Sequence, residues 1–329
     1  MHEEAVFSSS EDRIRAGQAT SAAAGPTIAS RQAPASGFRV CLNRAASGLF
    51  SVLFPSDCRI CGLPLRNVST LPVCPGCIDE MHAIRGRVCS ICGERVLSSY
   101  AESDYDGLIR CPVCRRVDRP FTRAVAYGSY DGGLRELIHL LKYNGVRPAA
   151  NVLGRMLAEC LSKLEPEFGD EEILMVPVPL FKGKRRQRGF NQAEMMARLA
   201  MKFYPEKARL AFAADVLLRV RDTQSQIGLT SHQRRQNMRG AFAVSRAPQV
   251  TGRSIVVVDD VYTTGTTLTE CARVLRKAGA TRVWAATVAR TLKMSSNDES
   301  FNVSKFQSFN QEAERGEGQE VENFETLKL

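Results

Sequence analysis

Asp259 and Asp260 stand side by side where a run of β-branched residues, Ile255 to Val258, comes to an end. Thr263-Thr264-Gly265-Thr266-Thr267 follows at once. Small residues around a glycine leave backbone N–H groups unobstructed, and phosphate oxygens need several such donors together. The carboxylates repel a phosphate. They suit sugar hydroxyls, or a Mg²⁺ ion held through water. The flanking pattern supports this chemistry. Ile255 to Val258 is an apolar run of the kind a buried parallel strand needs. Beyond the threonines, Leu268, Cys271, Ala272, Leu275 and Ala278 share one helical face, and Gly279 stops the helix. Strand, small turn and helix together aim a helix N-terminus at an anion.

A second chemistry lies upstream. Residues 58 to 114 hold four CxxC pairs: Cys58/Cys61, Cys74/Cys77, Cys89/Cys92 and Cys111/Cys114. Each pair turns two thiolates toward one point, and two pairs make the tetrahedral S₄ set that Zn²⁺ prefers. Twelve residues separate the first two pairs and eighteen the last two, spacings that suit zinc ribbons. A single CxxC also suits redox chemistry; four in tandem favour two Zn²⁺ sites. Pairing first with second and third with fourth is the simplest arrangement, and an interleaved one is the alternative. Gly62 and Gly93 fit the positive-φ position after a knuckle. Four thiolates leave no open position for water, which makes each metal structural. Cys160 and Cys271 fall on apolar helix faces and belong to the core.

The third feature is basic. Ile173 to Val178 forms a strand that Pro177 and Pro179 end. Lys182, Lys184, Arg185, Arg186 and Arg188 then put five positive charges within seven residues. Gly183 and Gly189 let this loop bend, and Phe190 and Asn191 lead into a helix. Leaving a strand's C-terminal end, the run favours a polyanion contact over a merely solvated surface. The elements between these features follow from periodicity. Arg123 to Tyr130 is a strand, and Leu134, Leu137, Ile138 and Leu141 stripe the next helix, which ends near Lys142-Tyr143. Another helix spans 149–164. His139 has no acid or Cys partner nearby in sequence and is structural. Val216 to Val220 and Thr281 to Ala289 are further strands. Thr230 and Gln233 form a capping box, and Gln224 to Gly228 is a lid or a plain connection.

Composition sets the bounds. The chain has 329 residues, 44% hydrophobic, with a formal net charge of +10 that favours polyanionic partners. No apolar run approaches the ~20 residues of a membrane span, and the start lacks a signal pattern. Both point to a cytoplasmic protein with no membrane insertion. The expected organisation is a disordered tail over 1–37 and an amphipathic helix (Val40 to Phe54) with a double zinc ribbon over 38–118. An α/β domain follows over 119–292, a parallel sheet flanked by helices, and then a disordered acidic tail over 293–329. The ribbon and the sheet are expected to have separate cores, so that replacing Cys74 unfolds one and spares the other.

The DDVYTTGTT stretch resembles the phosphoribosyl-pyrophosphate (PRPP) signature of type I phosphoribosyltransferases. The cysteine knuckles, LKY-ended helix, VPVPL strand, KRRQRGFNQ, RRQNMRGAF and VVVDDVYTTGTTL, in that order, resemble the ComF family over about residues 40 to 290. The resemblance implies that Asp259 and Asp260 are the catalytic pair on the ribose 2′ and 3′ hydroxyls. It implies that Thr263, Thr264, Gly265, Thr266 and Thr267 wrap the 5′-phosphate. Lys184, Arg185, Arg186 and Arg188 then lie on the pyrophosphate side, with Mg²⁺ entering alongside PRPP. Thr263 stands where the purine-salvage branch carries an acid, and no motif names a nucleobase. The leading expectation is a PRPP-binding, phosphoribosyltransferase-like protein linked to DNA uptake or nucleotide metabolism. The competing one is a single-stranded-DNA-binding adaptor of natural transformation with a PRPP-sensing or vestigial pocket, working with other proteins of the competence machinery.

Overall fold

The structure, a computed structural model, describes residues 57–65, 69–96, 107–223 and 230–292. The two tails, the amphipathic helix expected over 40–54 and the Gln224–Gly228 segment lie outside the described residues. The first described elements are two short helices, α1 (Pro75–Asp79) and α2 (Pro112–Arg116), each opening on a proline directly after a cysteine. Proline at this position gives up an N–H that would have no helical partner.

Five strands form the main sheet: β1 (Arg123–Ser129), β2 (Ile173–Pro177), β3 (Leu210–Phe212), β6 (Ser254–Tyr262) and β7 (Arg282–Arg290). Their order is β1-β7-β6-β2-β3, with every pair parallel. Between β1 and β2 run α3 (Gly132–Lys142), α4 (Ala149–Ser162) and the short α5 (Glu165–Phe168). After β2 come α6 (Lys182–Arg188) and α7 (Gln192–Phe203), and after β6 comes α9 (Thr266–Lys277). A separate antiparallel pair, β4 (Leu217–Arg219) with β5 (Phe242–Val244), flanks α8 (Ser231–Met238). The capping box of Thr230 and Gln233 is present.

Strand alternation divides the core between the two sheet faces. Val256, Val258, Met175 and Trp284 pack on one side with α3, α4 and α7. Ile255, Val257, Val176 and Val283 pack on the other with α9 and the β4–β5 pair. Because both faces are covered, β6 is an unbroken apolar run and not an alternating one. Cys160 and Cys271 are fully buried in these cores.

Two expectations are revised. KGKRRQR is no loop: it is the helix α6, closed by Gly189 at φ 77°. Lys, Arg and Gln are good helix formers, and a left-handed glycine satisfies the helix end. Among the described residues, the cysteine region also shares its buried side chains with the two faces of the sheet and forms no separate core. Cys58 and Cys77 belong to the α3–α4 face, while Cys89, Cys92, Cys111 and Cys114 belong to the α9 face. The region bonds to the outer strand β1 at two points: Ile84, between the two groups, donates its N–H to the Tyr127 carbonyl (2.7 Å), and the carbonyl of Ile91, inside the Cys89–Cys92 knuckle, accepts from the Ala124 N–H (2.7 Å).

Candidate functional site

The strand order changes direction between β2 and β6. From β2 the chain moves outward to β3, and from β6 it moves the other way to β7. The loops leaving these two neighbouring strand ends therefore diverge and open a crevice, the place where open α/β sheets take ligands. Val178 N–H donates to the Val258 carbonyl at 2.8 Å, which sets the start of the basic segment beside the acid pair. Motifs far apart in sequence meet here because of topology.

Asp259 and Asp260 lie inside β6, whose ladder continues to Tyr262. Neighbouring side chains of a strand point to opposite faces, so the two carboxylates are divided between different surroundings. Asp260 is buried and ion-paired with the Lys142 ammonium at the end of α3. Burial pushes Lys142 down to about 8, with the Asp259 carboxylate opposing the shift and Arg188 adding to it. The lysine is thus still charged at neutral pH. Asp259 is half-buried, and its carboxyl is pushed up to about 6 by desolvation, against the pull of Lys142 and Arg219. The carboxylates also accept from the backbone, Asp259 from the Asp260 N–H (2.9 Å) and Asp260 from the Val261 N–H (2.8 Å). Changing both acids to Asn looks harmless to folding from the sequence alone. The Lys142 pair reverses that expectation, because the change strands a buried cation.

The threonine turn bends at Gly265, whose φ of 73° is left-handed. A Cβ there would lie 2.2 Å from Tyr262 Oη, so only glycine fits over the tyrosine ring. Thr266 starts α9. The first N–H groups of a helix have no carbonyl of their own to bond and carry partial positive charge. Thr263 is exposed, Thr264 and Thr267 are half-buried, and Thr264 Oγ1 lies 2.8 Å from Thr266 Oγ1.

The basic helix splits in two. Lys184, Arg185 and Arg186 stay exposed, Arg185 lying 3.5 Å from Glu194. Arg188 turns inward: it donates to Gln192 Oε1 (2.6 Å), lies over the Tyr143 ring (5.6 Å), and burial holds its guanidinium below the usual range. Asn191 caps α7 and donates to the Val178 carbonyl (3.0 Å), fixing this corner. Periodicity missed Lys142 and Arg219. The signal for Lys142 was a lone lysine closing an apolar stripe. His139 is half-buried, with Nε2 3.0 Å from Tyr130 Oη, in keeping with a structural histidine.

The eight cysteines gather as two groups, Cys58/Cys61/Cys74/Cys77 and Cys89/Cys92/Cys111/Cys114, with the sulfurs of each within 4.8 Å of one another. The simple pairing holds. Sulfurs ~2.3 Å from a tetrahedral Zn²⁺ lie about 3.8 Å apart. Cys58–Cys77 and Cys61–Cys74 are both 3.8 Å, and Cys92–Cys111 is 3.7 Å. Cys74 N–H reaches Cys58 Sγ at 3.3 Å, and Gly62 and Gly93 sit at φ 73° and 72°. Burial pushes the Cys77 thiol up, as in a cluster that needs a cation before all four thiols ionise. The donor set and spacing fit Zn²⁺ at both groups.

Residues 188–317 match the phosphoribosyl transferase domain family. With the parallel sheet, the acid pair and the threonine turn, this makes the chain a phosphoribosyltransferase-type protein with an added cysteine region. It is 30% identical over 239 residues to the DNA utilization protein YhgH of Salmonella typhimurium, covering 72% of this chain and 98% of that protein. Competence protein F of Haemophilus influenzae is 27% identical over 66% of this chain and 96% of its own length. Competence protein ComFC of Bacillus subtilis is 26% identical over 63% of this chain and 79% of its own. On these grounds the chain belongs to the ComF family. Among the described residues, no helix is long and apolar enough to cross a membrane.

Proposed function

We propose that the chain binds PRPP at the crevice between β2 and β6 and acts as a phosphoribosyltransferase in DNA utilization, in the cytoplasm, where thiols stay reduced. The observation that carries this is the meeting of three groups at the C-terminal ends of the inner strands: the acid pair, the threonine turn and the inward cations Lys142 and Arg188. In this reading, N–H groups of the turn and the hydroxyls of Thr263, Thr264, Thr266 and Thr267 take the 5′-phosphate. Asp259 accepts from a ribose hydroxyl, while Asp260, neutralised by Lys142, holds the strand end in place and takes the second. Arg188 and Lys142 face the pyrophosphate, and Lys184, Arg185 and Arg186 draw the polyanion in. Mg²⁺, held by PRPP oxygens and by the carboxylates through water, would offset charge on the leaving pyrophosphate. The protein's part is to fix three polar regions of one substrate around the anomeric carbon, which needs positioning more than covalent chemistry. Each cysteine group holds one structural Zn²⁺.

Calorimetric titration with PRPP and Mg²⁺ tests the binding, and mass spectrometry of a reaction with pooled bases tests the transfer. A folded wild-type protein that takes up no PRPP ends this reading. One observation favours a second: Lys184, Arg185 and Arg186 stay exposed on α6. As an adaptor, that face would contact single-stranded DNA. Neutralising three phosphates gives a log–log salt slope of about −2. DNA binding with that slope, lost on changing the three residues to Gln and unaccompanied by turnover, would favour the adaptor.

A further inference from the structure

We propose that the second cysteine module is a positioning element for the phosphate turn, acting through Arg290 and Tyr262. This inference rests on the turn being a PRPP site, but its physical core is a coupling that stands by itself.

Arg290 ends β7, the neighbour of β6, and is Tyr262's partner across the ladder. An arginine only 2% exposed needs several partners, and these come from two sides. One side is the knuckle: the Arg290 guanidinium donates to the Cys92 carbonyl and pairs with Glu94 at 2.7 Å. The other is Tyr262, whose ring lies 4.8 Å from the same guanidinium. That ring is the floor under Gly265, where a Cβ would meet the hydroxyl at 2.2 Å. The knuckle is held close as well, with a Cβ on Gly93 3.1 Å from the Ala124 carbonyl and 3.5 Å from Arg290. A second link runs in parallel. Arg119, just past Cys114, donates to Thr269 Oγ1 in the first turn of α9 (3.1 Å). The two arms join the module's two knuckles to the two sides of the turn. The buried thiols, Tyr262 and Leu268 belong to one packed cluster, so the coupling runs through close-packed side chains. Arginine suits this post, since its planar fork bonds a carbonyl and a carboxylate while its face stacks on the ring.

Among the described residues, the first module shows no such connection. It packs on the other face, against Gly133 and Met81, and its Cys61 is exposed.

The test uses the full chain with zinc bound. Amide hydrogen exchange across Thr263 to Leu268 and calorimetric PRPP–Mg²⁺ affinity are measured for wild type, Arg290→Met, Glu94→Gln and Cys61→Ser. Arg290→Met should speed exchange in the turn at least tenfold and weaken PRPP about tenfold. Glu94→Gln should do the same to a lesser degree. Cys61→Ser should lose one zinc and leave both readouts at the wild-type level. If Arg290→Met does not fold, Glu94→Gln decides. Wild-type exchange in the turn of a folded Arg290→Met or Glu94→Gln protein overturns the coupling. Faster exchange in the turn alongside a wild type that binds no PRPP would keep the coupling and reject the PRPP reading instead.

Discussion

The two cysteine modules share one local design and differ in depth. Each has a knuckle closed by a left-handed glycine and a proline-started helical turn. The first leaves Cys61 exposed and Cys74 half-buried, whereas all four sulfurs of the second are buried. Identical ligand chemistry therefore carries different structural weight. The first module covers a helix face; the second fills part of the core beneath the threonine turn. What separates them is the surroundings, above all Arg290 and Glu94.

The sharpest way to break the comparison is to remove one sulfur from each. Cys111→Ser should cost at least about 3 kcal/mol, since it leaves three buried thiolates around a weakened ion. Cys61→Ser should cost about half that or less, and both proteins should hold one zinc fewer. Equal losses in denaturant titrations with metal analysis would erase the distinction. A change in the turn itself comes next. Gly265→Ala meets both the Tyr262 ring and an unfavourable φ, and should destabilise by about 1–3 kcal/mol. PRPP binding should weaken more than tenfold, with zinc content unchanged, so that damage at the turn is told apart from damage at the module.

The acid pair gives a subtler contrast. Asp259→Asn should weaken PRPP at least tenfold, about 1.4 kcal/mol, yet leave both zinc ions and the Lys142–Asp260 pair in place. Asp260→Asn should weaken PRPP and also lower the melting temperature, because Lys142 loses its buried partner. The smallest effect is a pH slope. Asp259 titrates at about 6 in the folded chain against an ordinary 3.8, so the native state binds that proton more tightly than the unfolded one. Its contribution to stability is full below 3.8 and is lost as pH rises through about 6. PRPP affinity should run the opposite way, falling as pH drops through about 6 and the acceptor is protonated. Asp259→Asn should flatten both slopes, while Cys61→Ser keeps them.

Much of this geometry was legible in the sequence because its patterns are local. Two thiols in a CxxC, two acids after an apolar run and small residues before a helix each mark a knuckle, a strand end or a turn within a few positions. The strand and helix that frame the turn followed from period alone. What was not legible depends on pairs that only the fold brings together. Lys142 looks like an ordinary helix-end lysine until β6 sets Asp260 beside it. Arg290 looks like a charged residue after a strand, though it is among the most buried side chains described. The short strands β3 and β5 carry three residues each, too few for a period to register. The basic run reads as a loop because Gly183 interrupts neighbours that otherwise favour a helix.

The outer position of β1 has one more consequence. A strand with one side unpaired is a template on which other chains can add. Here the cysteine region lies against that side, bonded through Ile84, between the two modules, and through Ile91, inside the Cys89–Cys92 knuckle. Stripping the ions would loosen the cover and lay the strand open, so the first sign of metal starvation should be self-association, before any loss of substrate. Zinc supply would then govern how long the protein stays dispersed in the cell.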